Sequence, residues 1–296
     1  MIVPLAHVGG ASLEPLQLVP ALGVAALYWM RCRALAASPR AVPGWRQACF
    51  YTGMALCAGA VASPLGHLSD ELLLAHMAEH LLIADLGALL LVLGLTGPLI
   101  APLLRVAWID RLRVLAHPAV ALPLWAANLY LWHLPAAYEG ALRHSGLHAL
   151  EHAAFLFFGA NMWMALFGPL PTPSWFGNFA RLAYVVAVRL VGAVLGNVFV
   201  WSGTVFYDFY APGEAHWGIS PLADQNVAGA IMMVEGSIVT ICLFAWLFLR
   251  SAREGEERQE LLDLAVAHGY ELTEERAARA VRAGRGTELR RRVEGA

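Results

Sequence analysis

Two short segments of the chain repeat one pattern of metal-ligating side chains. His76-Met77-Ala78-Glu79-His80 and His148-Ala149-Leu150-Glu151-His152 both read H-x-x-E-H. On a helix, residues i and i+4 share a face one turn apart, so each pair offers two imidazoles to one ligand. Glu79 and Glu151 stand one residue before the second His, about 100° round the helix, where they can orient a ring or ligate directly. His133, in Trp132-His133-Leu134-Pro135, closes a further apolar run between the two motifs. Five imidazoles from three consecutive helices are therefore expected to converge on a metal site. A single His near a helix end is more often an interfacial residue, and it is the repetition that carries the expectation.

Three chemistries compete for such a cluster. Imidazole with thioether suits copper, Cu(I) above all, whereas imidazole with carboxylate and water suits zinc or iron. Met77 lies inside the first motif, and Met232 and Met233 lie about 12 Å along the last apolar run at the helical rise. Copper is the favoured cargo, although methionine in a membrane helix is often simple packing. Paired imidazoles also serve as axial haem ligands, which leaves a haem-binding electron carrier as an alternative. H-x-x-E-H is also a zinc-peptidase pattern, with Glu79 or Glu151 as general base of a membrane metallohydrolase. Two copies would be redundant for one catalytic zinc, so an enzyme is not the expectation.

The elements that must position these residues follow from composition. Of 296 residues, 59% are hydrophobic and only 14% charged, with mean hydropathy +0.58, whereas soluble domains carry roughly 25% charge. The expected class is an all-α polytopic protein of the bilayer. Seven apolar runs are long enough to span it, near 13–30, 48–64, 72–99, 114–137, 147–167, 179–201 and 222–249. They are too long and continuous for the alternating strands of a membrane barrel. Residues 1–250 form this seven-helix domain, and 251–296 a charged cytoplasmic tail with two amphipathic helices about a Gly turn.

Basic residues orient the spans. Arg31, Arg33, Arg40 and Arg46 follow the first run, Arg105, Arg111 and Arg113 the third, Arg181 opens the sixth, and Arg250, Arg253 and Arg258 follow the seventh. Alternate connections carry almost none, Arg143 excepted, so the N-terminus is expected outside and the C-terminus in the cytoplasm. His7, His67, His76, His80, His133, His144, His148, His152 and His216 then fall on the outer side, and only His117 and His268 inside. The net charge of −2 and pI of about 6.6 give no case for nucleic acid. The first fifteen residues hold no Arg, so a cleavable leader is not expected. Cys32, Cys49, Cys57 and Cys242 form no CxxC pair, and neither a disulfide framework nor a thiolate metal site is indicated.

Charges deep in the spans need partners. Asp85, Arg189 and Glu235 lie about 16 to 20 Å from the outer end at the helical rise, and Arg189 is expected to pair with one of the acids. Asn128, Asn161 and Asn197 are expected to make interhelical hydrogen bonds. The connection from Trp201 to Pro221 carries Tyr207, Asp208, Tyr210, Glu214, His216 and Trp217, as a cap on the site, a contact for the partner or an ordinary interfacial loop.

Four stretches, HMAEHLL (76–82), LYLWHLPAAYEGAL (129–142), LHALEHAAFLF (147–157) and SPLADQNVAGAIMM (220–233), agree in order and spacing with one bacterial membrane family. Over residues 15 to 250 the chain resembles the cytochrome c oxidase assembly factor CtaG family. The resemblance implies a part in building haem-copper oxidases in the bacterial inner membrane: copper taken from a periplasmic carrier and passed to the oxidase catalytic subunit. It also implies functional positions at His76, His80, His133, His148, Glu151, His152, Asp224 and Gln225. Glu79 departs from it, since Gln is expected there in many members, and the added acid should make a cation bind more tightly or with a different pH dependence.

Overall fold

The structure is a computed structural model that describes residues 15–295. His7 and the first residues of the first apolar run lie outside that range. All regular structure among the described residues is helical, in chain order α1 (Pro15–Leu35), α2 (Gly44–Ala62), α3 (Pro64–Leu68), α4 (Leu73–Leu81), a π-helical turn (Leu82–Gly87), α5 (Ala88–Gly94), α6 (Gly97–Ile100), α7 (Ala107–Leu112), α8 (Pro118–Trp132), α9 (Pro135–Arg143), α10 (Ser145–Phe167), α11 (Asn178–Trp201), α12 (Ala211–Trp217), α13 (Pro221–Ala267), α14 (Glu274–Arg282) and α15 (Gly286–Glu294). Proline opens α3, α8 and α9, where its fixed φ fits a first helical turn and its missing N–H costs nothing.

Five helices are long and apolar enough to cross a membrane: 18–35, 73–94, 145–167, 178–201 and 221–267. A sixth span results if 107–116 and α8, bent by 79° at their junction, count as one. The run expected at 48–64 is helical as α2, but Arg46, Gln47 and its many Gly and Ala residues dilute its apolarity.

The described chain divides into two compact units, one of residues up to Phe176 with Ala187–Ser237, the other of Gly177–Val186 with the residues from Ile238 onward. The expected boundary at residue 250 falls inside the unbroken helix α13. In the second unit, Leu261, Ala265, Val281, Leu289 and Val293 form a small apolar core. Gly269 and Gly284 provide the positive-φ turns between its helices, at 63° and 66°. The stretch expected as two amphipathic helices is matched by the end of α13 and by α14, and α15 adds a third.

In the first unit, the segment 73–94 is central, packed between α2 and α10. Lipid-like surroundings reward close backbone approach through small residues. Gly53 of α2 lies against the Gly87 carbonyl, and Gly159 of α10 against the Ala84 carbonyl. These contacts fix the π turn and, one helical turn above it, His80. The Gly159 contact has no flexible side chain to yield, so Gly159→Ala should cost about 1–3 kcal/mol and lower the unfolding temperature in detergent. Gly146→Ala, with open space around it, should leave that temperature unchanged.

Candidate metal centre

The centre begins with how α4 starts. The opening amides of a helix have no partner inside it, and Leu72, at the N-cap, supplies no side-chain acceptor. Asp224, near the start of α13, takes that role: its Oδ2 accepts from the Leu73 N–H at 2.7 Å and its Oδ1 from the Leu74 N–H at 2.8 Å. A carboxylate there also complements the positive end of the helix dipole. His76 and His80 follow on the first turns so fixed.

His76, His80, His148 and His152 come together, with one ligand nitrogen from each, all within 4.8 Å of one another. Ring centroids lie 4.3 Å apart within each i,i+4 pair, 5.3 Å between His76 and His148, and 5.1 Å between His80 and His152. His76, His80 and His152 are buried and His148 half-buried. The Nδ1 of His76 donates to the Ser69 carbonyl at 3.3 Å. A carbonyl can only accept, so the lone pair of the neutral ring falls on Nε2, toward the cluster. The Nε2 atoms of His76 and His148 and both ring nitrogens of His80 are buried without a hydrogen-bond partner among the described residues. Buried polar atoms are otherwise nearly always paired, and a cation held by imidazole nitrogens would satisfy these.

His133 does not join the four. It is the C-cap of α8, where its Nδ1 donates to the Leu129 carbonyl at 2.7 Å. Its ring lies 6.2 Å from Tyr138 and 5.9 Å from both Phe155 and Phe199. Glu79 and Glu151 are buried beside the quartet, within electrostatic reach of each other, and both Glu151 oxygens lack a donor among the described residues. Met77 packs with Leu73, Leu129, Tyr138 and Phe155, and Met232 lies against the same cluster. Met233 meets Gly196, and its carbonyl accepts from Arg189.

Polar and aromatic residues around the quartet close the site. Gln225 holds the connection after α11, its Oε1 accepting from Phe206 N–H at 2.9 Å and its Nε2 donating to the Thr204 carbonyl at 3.1 Å. Tyr207, carried by that connection, donates to the His133 carbonyl at 2.7 Å and stacks on Tyr138 at 4.0 Å. Tyr138 and Tyr210 share a hydroxyl hydrogen bond of 2.8 Å, and the Tyr138 ring lies 5.1 Å from that of His76. Burial holds all three hydroxyls well above the ordinary phenol range, so they stay protonated. The open choice between cap and interfacial loop resolves toward a cap for Tyr207 and Tyr210, while His216 and Trp217 stay exposed. Ser69 and Tyr138 stand outside the residues expected at the site, although Tyr138 shares a motif with His133; Glu214 belongs to the connection expected as a cap.

Deeper in the unit, Arg189 does not form the expected ion pair. Its guanidinium donates to the Met233 carbonyl at 3.1 Å and to Ser237 Oγ at 2.8 Å. Asn161 and Asn197 bond to carbonyls of their own helices, four residues back, rather than across helices.

A family model for the cytochrome c oxidase caa3 assembly factors matches residues 26–254. Among curated proteins, the chain is 26% identical to uncharacterized proteins of Mycobacterium bovis and Mycobacterium tuberculosis over 153 residues, which is 50% of this chain and 23% of each of theirs. It is 24% identical to one of Mycobacterium leprae over 141 residues, 47% of this chain and 21% of that one. The chain thus spans less than a quarter of the length of these relatives. No solved structure matches it.

Glu214, on α12, is 3% exposed. Burial, then Asp224 and Asp208, push its carboxyl from the ordinary 4.5 up to about 7. The folded state then binds this proton more tightly than the unfolded chain, so the stability it contributes is full below about 4.5 and is lost as pH rises to about 7. Glu214→Gln should flatten that part of the pH dependence, read as unfolding temperature against pH.

Proposed function

From the premise that the chain belongs to the cytochrome c oxidase caa3 assembly factor family, we propose that it holds one copper ion as cargo on His76, His80, His148 and His152 and passes it to the catalytic subunit of a haem-copper oxidase. The observation that carries the reading is the buried quartet, whose ligand nitrogens converge within 4.8 Å. That separation suits a single ion and leaves no room for a porphyrin between the rings, which weighs against the haem carrier. Two motifs converging on one site, where a peptidase needs one, together with the assembly-factor family, weigh against the hydrolase.

Copper is preferred over zinc because the family assembles a copper-containing oxidase; imidazole ligands by themselves suit either metal. Met77 and Met232 belong to the apolar cluster around Tyr138 and Phe155, and Met233 meets Gly196. Glu151 and Glu79 give the site buried acids that offset the charge of the cargo. His133, Asp224, Gln225, Tyr138 and Tyr207 act as positioning residues, through the caps and loop contacts described above.

The membrane setting belongs to the same reading. Counting α2 and the bent pair of 107–116 with α8 as spans, beside the five long apolar helices, gives seven. Arg31, Arg33, Arg40 and Arg46, with Arg105, Arg111 and Arg113, then lie on the cytoplasmic side. The histidine end faces the periplasm of the inner membrane, open to a copper carrier, and handover to the oxidase proceeds by lateral contact in the bilayer.

Elemental analysis of the purified full chain after Cu(I) loading tests the proposal. Wild type should retain about one copper per chain, and His76→Ala and His148→Ala should each weaken retention at least about tenfold, with His133→Ala affecting it less. Equal retention by wild type and a His76→Ala/His148→Ala double variant would remove the quartet as the site.

A further inference from the structure

A second set of polar groups without partners lies below the histidine cluster, in the interior of the same unit. Asp85 belongs to the π turn Leu82–Gly87, and Glu235 to α13. Their carboxyl groups are hydrogen-bonding neighbours. Yet Asp85 Oδ1 and both Glu235 oxygens are buried with no N–H or O–H donor among the described residues. Two groups that can only accept cannot bond to each other unless a proton lies between them.

The surroundings supply one positive charge and little else. Arg189 lies within electrostatic reach of Glu235, but its Nη2 is engaged by the Met233 carbonyl and Ser237 Oγ. Trp163 of α10, 3% exposed, neighbours Asp85 as a neutral group. Two carboxylates and one guanidinium would leave a net negative charge among apolar helices, a costly state in a membrane interior. One proton removes both the unmade hydrogen bond and the excess charge. The backbone is built around this arrangement. A π turn shifts the side chains that follow it relative to an unbroken α-helix, and such turns recur at functional sites. Here the turn is clamped by Gly159 against Ala84 and by Cys57 against Gly87.

We infer that Asp85 and Glu235 together form a proton-binding site inside the bundle, holding a single proton between their carboxyl groups and facing Arg189 and Trp163. The site is separate from the proposed copper function and does not depend on it. Asp85 is five residues beyond His80, so the two sites share one helical segment without sharing a residue.

Infrared spectroscopy of the metal-free full chain at neutral pH tests the inference. A protonated-carboxyl C=O stretch, shifted in D2O, should be present. Asp85→Asn and Glu235→Gln should each abolish the same band, because the remaining acid is then ionised opposite Arg189, and the double variant should remove nothing further. If either variant fails to fold, isotopic labelling of wild-type aspartate and glutamate carboxyls replaces it, and each label should shift part of that band. A band untouched by one of the two substitutions, or insensitive to the aspartate label, would overturn the shared proton, as would its absence from wild type.

Discussion

The hydrogen bonds from the Leu73 and Leu74 amides to Asp224 are the constraint on which the site depends. A helix that starts within a packed bundle must have its first amides satisfied, and α4 has no local cap to do so. Drawing the acceptor from α13 ties two segments some 150 residues apart in the chain. It also sets the rotation of α4, and with it the face on which His76 and His80 stand. Replacing the carboxylate would strand two helix-opening donors, the buried one of Leu73 at a cost of about 1–3 kcal/mol, before any effect on ligand geometry.

A series of modest interactions extends from that cap. Gln225, the next residue, holds the 204–206 backbone, which presents Tyr207 to the carbonyl of His133. Tyr138, stacked on Tyr207 and bonded to Tyr210, lies over His76. Neutral hydroxyls and amides thus enclose the cluster without adding competing charge. The acids that are present, Glu79 and Glu151, sit beside the imidazoles, where a cation would need them.

The i,i+4 pairs were legible in the sequence because helical periodicity alone places His76 with His80 and His148 with His152. Their meeting across α4 and α10 followed from shared depth. His133 stands apart from the four because shared depth does not fix rotation: it terminates α8, and its ring lies near Phe155 and Phe199. The methionines were soft donors by type, but side-chain direction and packing place Met77 in an apolar cluster. Asp224 and Gln225 were marked by family resemblance, and their work is done on backbone groups, which no side-chain pattern reveals. Depth matches Arg189 with Asp85 or Glu235, whereas an adjacent carbonyl and hydroxyl on α13 engage the guanidinium.

X-ray absorption at the copper edge of the Cu(I)-loaded full chain tests the central claim most directly. A copper ion held by His76, His80, His148 and His152 predicts a nearest shell of nitrogen alone, with the outer-shell scattering pattern of imidazole rings. A nearest shell containing sulfur would place the ion at cysteine or methionine instead, and would contradict the assignment of the quartet as the copper site.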